Sequence, residues 1–197
     1  MKTTEQEIKA QYAKVFTKKD WRTFKNVADW YFRKSAMLRK KHIDSEKNNK
    51  LLIRNIQKRL YLGIGTELLV KACYLKSGLA INKPIDAKKY NSVVIELDKV
   101  DAKEFEATDT FTLDPLLNNL NSIFKFDDWK TIERGLKILK VFRNKEGHVA
   151  VNSHEYKKEN YEDIEKSIIS IYQKVFGESL EFKISMEKSD KGKFKAK

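Results

Sequence analysis

Between Leu51 and Ser77, apolar side chains recur at Ile53, Ile56, Leu60, Ile64, Leu68, Ala72 and Leu75. Steps of three and four residues put them on one stripe of a helix, whereas a strand sorts its faces at every second position. A helix of this length dictates the partners it needs, which are other helices with matching stripes. Gly63 and Gly65 inside the run mark a kink or close packing against a neighbouring helix, and Gly78 reads as its C-terminal cap. No Gly-Lys-Ser/Thr follows these glycines, so they do not form a phosphate loop.

The flanking sequence supplies those partners. Thr4 with Glu7 has the form of a capping box, opening a helix to about Thr17. Asp20 reads as the next N-cap, followed by Phe24, Val27, Tyr31 and Leu38 at helical spacing as far as Lys40. Trp21, Trp30, Tyr31 and Phe32 could stack on bases, but aromatic residues at this spacing read as core. Asp44 to Lys50 reads as a loop. Asp114-Pro115 has N-cap and first-turn chemistry. A further helix starts near Asp127 or Asp128, buries Trp129, Ile132, Leu136, Leu139 and Phe142, and stops at Gly147. The last helix covers roughly Glu155 to Phe176, with Tyr161, Ile164, Ile168, Ile171, Tyr172 and Val175 inward. The expected fold is therefore all-α, a helical bundle in one domain over residues 1–186. Residues 82–112 form a mostly irregular insertion in this reading, with Val93-Val94-Ile95 as a short strand. Leu180, Phe182, Ile184 and Met186 alternate as a short C-terminal strand would, and 187–197 is a basic tail of disordered composition.

Charge is unevenly spread. Residues 1–60 carry 17 basic and 6 acidic side chains, whereas 61–186 carry 19 and 20, and 187–197 carry 5 and 2. A net of +11 in the first third points to a polyanionic partner met there, and Arg39, Lys40 and Lys41 are candidate phosphate contacts. A basic solvated surface is the competing reading of the same residues. Cys73 is the single cysteine, so no internal disulfide can form and a reducing compartment is natural. No apolar run reaches transmembrane length and residues 1–12 show no signal-peptide pattern, which leads to the expectation of a cytoplasmic protein without a membrane.

Arg143-Asn144-Lys145-Glu146-Gly147-His148 carries the chemistry. A continuous helix would set Arg143 and His148 about 140° apart around its axis. A break at Gly147 lets both turn to one side. Arg143 offers a planar fork of donors to a phosphate. His148, near an unperturbed pKa of ~6.5, can accept a proton at cellular pH. The three histidines, His42, His148 and His154, lack zinc-site spacing, and no compact acidic cluster accompanies the motif, so no metal or other cofactor is expected. Cleavage without a metal most easily uses an internal nucleophile. RNA has one in its 2′-hydroxyl and DNA does not, which favours a ribonuclease. The bland reading keeps Arg143 as a helix C-terminal cation and His148 as a surface loop residue.

Leu139 to Asn144, with Gly147-His148, resembles the signature of the HEPN (higher eukaryotes and prokaryotes nucleotide-binding) superfamily, and Thr66 to Ala72 looks like the Glu-containing core helix common in such domains. The resemblance implies a HEPN-like bundle and a metal-independent endoribonuclease leaving 2′,3′-cyclic phosphate and 5′-hydroxyl ends. It implies His148 as the activator of the 2′-hydroxyl and Arg143 as the phosphate ligand. Asn144 would hold the motif's geometry and Glu67 would orient Arg143 or His148, although Glu67 reads equally as the structural partner of a nearby cation. It also implies a homodimer with a composite active site, a toxin or anti-phage role, and an antitoxin or defence-system partner. Some family toxins carry a modifiable Tyr two residues after the motif His, where this chain has Ala150, so control by that route is not expected. Two other readings stay open: a non-catalytic HEPN-like module that binds RNA or nucleotides or mediates assembly, and a helical DNA-binding accessory protein, for which no recognition motif is seen.

Overall fold

Asp20 opens the first long helix. Its carboxylate accepts from the Arg22 backbone N–H at 3.1 Å and from the Thr23 hydroxyl at 2.8 Å, and those bonds hold its carboxyl below the usual range. The structure, a computed structural model, describes residues 3–8, 10, 20–40, 48–90, 92–146, 156–180 and 184. Five helices dominate these residues: α1 (Trp21–Lys40), α2 (Asn48–Lys76), α3 (Leu113–Phe124), α4 (Trp129–Lys145) and α5 (Lys158–Ile171). Residues 4–8 are also helical. Their capping box uses Thr3 and Gln6, one residue ahead of the Thr4–Glu7 expectation, with each backbone N–H bonded to the other's side chain. Helix α2 begins at Asn48, so residues 48–50 of the expected loop are helical, and 44–47 lie outside the described residues. No helix among the described residues is long and apolar enough to cross a membrane.

Backbone contacts group the chain into two compact units, Met1–Val27 with Glu67–Ile123 and Ala28–Thr66 with Phe124–Lys197, so that α1 and α2 each contribute to both. In the first unit, Phe24 of α1, Leu69, Val70, Cys73 and Tyr74 of α2, and Leu113, Leu116 and Leu120 of α3 are buried. The Tyr74 hydroxyl donates to the Leu116 carbonyl at 2.8 Å. Burial pushes the Cys73 thiol up, which makes this cysteine a small core hydrophobe rather than a nucleophile. Gly78 follows α2 in the left-handed region at φ 73°, as a C-terminal cap requires.

The insertion is more regular than its sequence suggests. β1 (Asn82–Pro84) pairs antiparallel with β2 (Phe105–Thr110), Asn82 opposite Thr110 and Pro84 opposite Phe105, with an irregularity between them. Val93–Ile95 is not a strand. Beside it, Glu96 makes one isolated bridge to Leu79, and the Ala80 N–H donates to the Ile95 carbonyl at 2.8 Å. The expected C-terminal strand falls mostly outside the described residues, as does the 187–197 tail. The backbone N–H of Ile184 donates to Glu165 Oε1 at 2.7 Å.

In the second unit, α1 buries Ala28, Phe32, Ser35 and Ala36. That face is turned one residue from the expected one, since Tyr31 and Leu38 are half-buried. Small residues set the rotation, because they let α1 lie close to its neighbours while the larger side chains stay at the margins. The Phe32 ring leaves no room for a side chain at Gly65 of α2. The α2 stripe is also corrected. Leu62 and Thr66 are fully buried, while Ile56, Leu60 and Ile64 are half-buried and Ile53 is exposed. A helix packed on several sides does not need to confine its apolar residues to one stripe.

Asp128 caps α4 through the Thr131 N–H at 3.3 Å, and Ile132, Leu136, Leu139 and Phe142 form its buried face as expected. Trp129 is half-buried and stacks on Phe126. Against α4 lies α5, with Ile164, Ile168 and Ile171 buried. A Cβ on Gly135 would stand 2.1 Å from Ser167 Oγ and 2.4 Å from the Asp163 carbonyl oxygen. The Ser167 hydroxyl is bonded to the Ile132 and Asp163 carbonyls at 2.9 and 2.7 Å. Arg134 grips Asp163 with two bonds of 2.5 and 2.7 Å. After Ile171 the chain widens into a π-turn (Tyr172–Phe176) ended by Gly177, and the Tyr172 hydroxyl donates to Asp29 of α1.

Candidate functional site

Arg143 lies in the last turn of α4, between buried Phe142 and exposed Asn144, and is itself half-buried. Its position is fixed through its backbone. Gly63 of α2 packs so closely that a Cβ there would come within 2.5 Å of the Arg143 nitrogen and 2.7 Å of its Cα. Close packing, not a kink, is therefore the role of Gly63.

Glu146 is the residue that sequence reasoning missed. It caps α4, its N–H reaching the Phe142 carbonyl at 3.3 Å, and its side chain turns inward to Arg59 of α2. Arg59 Nε donates to Oε1 at 2.6 Å and Nη2 to Oε2 at 3.0 Å, and both side chains have no exposed surface. Two buried charges in a parallel fork satisfy one another where neither could be tolerated alone. The signal available was only that Glu146 sits inside the motif, since charged residues default to the surface in any sequence reading.

Around this pair stand three aromatic rings. The Phe142 ring meets Tyr156 edge-on at 4.9 Å and Tyr161 at 6.3 Å. The Arg59 guanidinium lies 5.3 Å from the Tyr156 ring centre and the Lys58 ammonium 4.5 Å from that of Tyr161. Burial raises the Tyr161 phenol's pKa, while the Arg59 charge beside it pulls the other way. Glu146 and Tyr156 bracket residues 147–155, so both described flanks of that segment rest on one guanidinium. Gly147, His148, Ala150 and His154 lie outside the described residues.

The other candidate residues are placed as follows. Glu67 accepts from Lys71 Nζ at 2.7 Å, and the same ammonium reaches the Thr110 hydroxyl at 2.9 Å. This engagement is the structural partnership weighed for Glu67 from the sequence. Arg39 and Lys40 are the last two residues of α1, and Lys41 lies outside the described residues. Among the described residues, no three of His, Cys, Asp and Glu gather as a metal site would require. Comparison with known proteins gives no matching family model, no match among curated proteins and none among solved structures.

Proposed function

We propose that this chain is a metal-independent endoribonuclease of HEPN type, acting as a cytoplasmic toxin or anti-phage effector. The observation that carries the reading is the anchoring of Arg143. Its helix end is held against α2 twice, by the close approach of Gly63 to the Arg143 backbone and by the buried Arg59–Glu146 pair, so Arg143 stands on a rigid support. Preorganisation of this kind is what electrostatic stabilisation of a transition state requires. In the proposed reaction His148 takes the proton of the 2′-hydroxyl, and the 2′-oxygen attacks the adjacent phosphorus. The bond to the 5′-oxygen breaks, and that oxygen takes a proton from an imidazolium. Arg143 binds the equatorial phosphate oxygens as their charge grows. The products are a 2′,3′-cyclic phosphate and a 5′-hydroxyl. One histidine cannot be base and acid at once, so a second copy's His148 supplies the proton, which makes the working form a symmetric homodimer. An antitoxin or defence-system protein completes the proposed setting.

The competing reading is a non-catalytic HEPN-like module that binds RNA, which the basic first third favours equally because charge attracts RNA whether or not it is cut. Cleavage of RNA in excess EDTA separates the two. Arg143→Ala and His148→Ala are each expected to lower the rate by ~10²-fold or more. Binding without cleavage in the wild type, or cleavage unaltered by both substitutions, contradicts the proposal.

A further inference from the structure

Trp30, Tyr31 and Lys34 of α1 cluster with Tyr61 of α2. Trp30 is 50% exposed, which corrects the expectation that it is core, and its ring meets Tyr31 edge-on at 4.9 Å between centroids. Tyr61, from α2, stands 6.4 Å from Trp30 and 5.8 Å from Tyr31. Lys34, one turn further along α1, holds its ammonium 5.4 Å from the Trp30 ring centre. Residues 28–40 and 48–66, which carry all four side chains, contain eight basic residues and one acidic one, Asp29. Asp29 accepts the Tyr172 hydroxyl, and Arg59 pairs with Glu146.

We propose that Trp30, Tyr31, Tyr61 and Lys34 form a stacking platform for single-stranded nucleic acid. It deepens the ribonuclease reading by naming how a strand is gripped, and rests on that reading for the choice of a polyanion. Each base of a single strand offers a flat π-face to an exposed ring, and the Lys34 ammonium beside the Trp30 ring offers a cation to its phosphates. A duplex hides those faces by stacking them on one another. A second copy of this chain is a poorer occupant, since two-fold symmetry would set this basic face against itself. A bilayer is poorer too. An interfacial helix turns its apolar stripe outward, whereas α1 turns Ala28, Phe32 and Ala36 into the core.

Binding of a short fluorescein-labelled oligodeoxythymidine, followed by anisotropy in EDTA, tests the platform without any 2′-hydroxyl to cleave. Trp30→Ala and Tyr61→Ala are each expected to weaken binding by about 5- to 150-fold. Trp30→Phe should restore it to within a few-fold, and a duplex should be indifferent to Trp30. Thermal unfolding of each variant checks that the loss is not one of folding. Wild-type affinity in both folded alanine variants overturns the platform. So does Trp30-dependent binding confined to phosphatidylserine–phosphatidylcholine vesicles, or a dimer that depends on Trp30 while strand binding does not. The nuclease reading fails separately. Trp30-dependent strand binding with no RNA cleavage supports the platform and removes the enzyme, whereas RNA cleavage with strand binding unchanged in Trp30→Ala does the reverse.

Discussion

Arg59 and Glu146 are 87 positions apart in sequence and meet in a site without water access. Removing one partner strands the other's charge in a medium that cannot solvate it. Arg59→Met or Glu146→Leu alone is therefore expected to cost about 3–5 kcal/mol of stability. The double substitution should cost less than either single one, because a matched apolar pair leaves no orphaned charge. Urea unfolding of the three variants reads this directly, and simple additivity of the single costs would contradict it. Nothing in the sequence singles out this pair. Arg59 follows Lys58 in a basic run, and Glu146 occupies a position of the motif to which the sequence assigns no role.

At the scale of elements, helix α4 depends on two glycines for its packing, Gly135 of its own against α5 and Gly63 of α2 beside Arg143. Alanine at position 135 gains about 1 kcal/mol of helix propensity. It also drives a methyl group into the Asp163 backbone oxygen at 2.4 Å, which cannot move without shifting α5. Gly135→Ala is thus expected to lose a net ~1–3 kcal/mol. Adding Ser167→Ala should not rescue it, because the backbone contact remains. Denaturation showing a stabilised Gly135→Ala protein would refute the close approach.

Helix spans were legible because caps and periodicity are local signals. Asp20, Gly78 and Asp128 act as their residue types suggested, and the inward face of α4 was read correctly apart from Trp129, which is half-buried. The α1 face was not, because Val27 and Tyr31 outweigh Ala28, Ser35 and Ala36 on any hydrophobic scale, yet small residues decide how closely helices approach. The β1–β2 pairing was invisible for a different reason. Asn82-Lys83-Pro84 has no alternation, and its register is set by a partner more than twenty positions away. Of the motif, Arg143 and its helical setting were legible, whereas the buried anchor that holds them was not.

At the scale of the whole molecule, charge governs how stability responds to pH. The Glu104 carboxylate is held below its usual range chiefly by Lys89, then by Tyr90, while Glu104 in turn raises both of those groups. A depressed carboxyl contributes stability above its unfolded value and loses it as pH falls through the folded one. Raised lysine and tyrosine values act at the other end, where stability is lost as pH rises through them. This exposed cluster therefore makes a small, solvent-screened contribution, greatest between the carboxylate and the lysine–tyrosine ranges, and Glu104→Gln is expected to make the fall slightly shallower on both sides. Melting temperature against pH tests this, and identical profiles for the two proteins would contradict it.

In the proposed reading, the first third with its net of +11 would bring a polyanion to the chain, and the Arg143–His148 motif would be the place where it is cut. That chemistry needs a nucleophile within the substrate itself. The most direct measurement is to compare, in EDTA, cleavage of an RNA with that of the same strand carrying a single 2′-deoxy nucleotide at the cut position. The expected result is loss of that one cut, with any other cuts unaffected and a 2′,3′-cyclic phosphate on the product of the unmodified strand. Cleavage at the deoxy position at the same rate, or ends bearing a 3′-hydroxyl, would contradict the account.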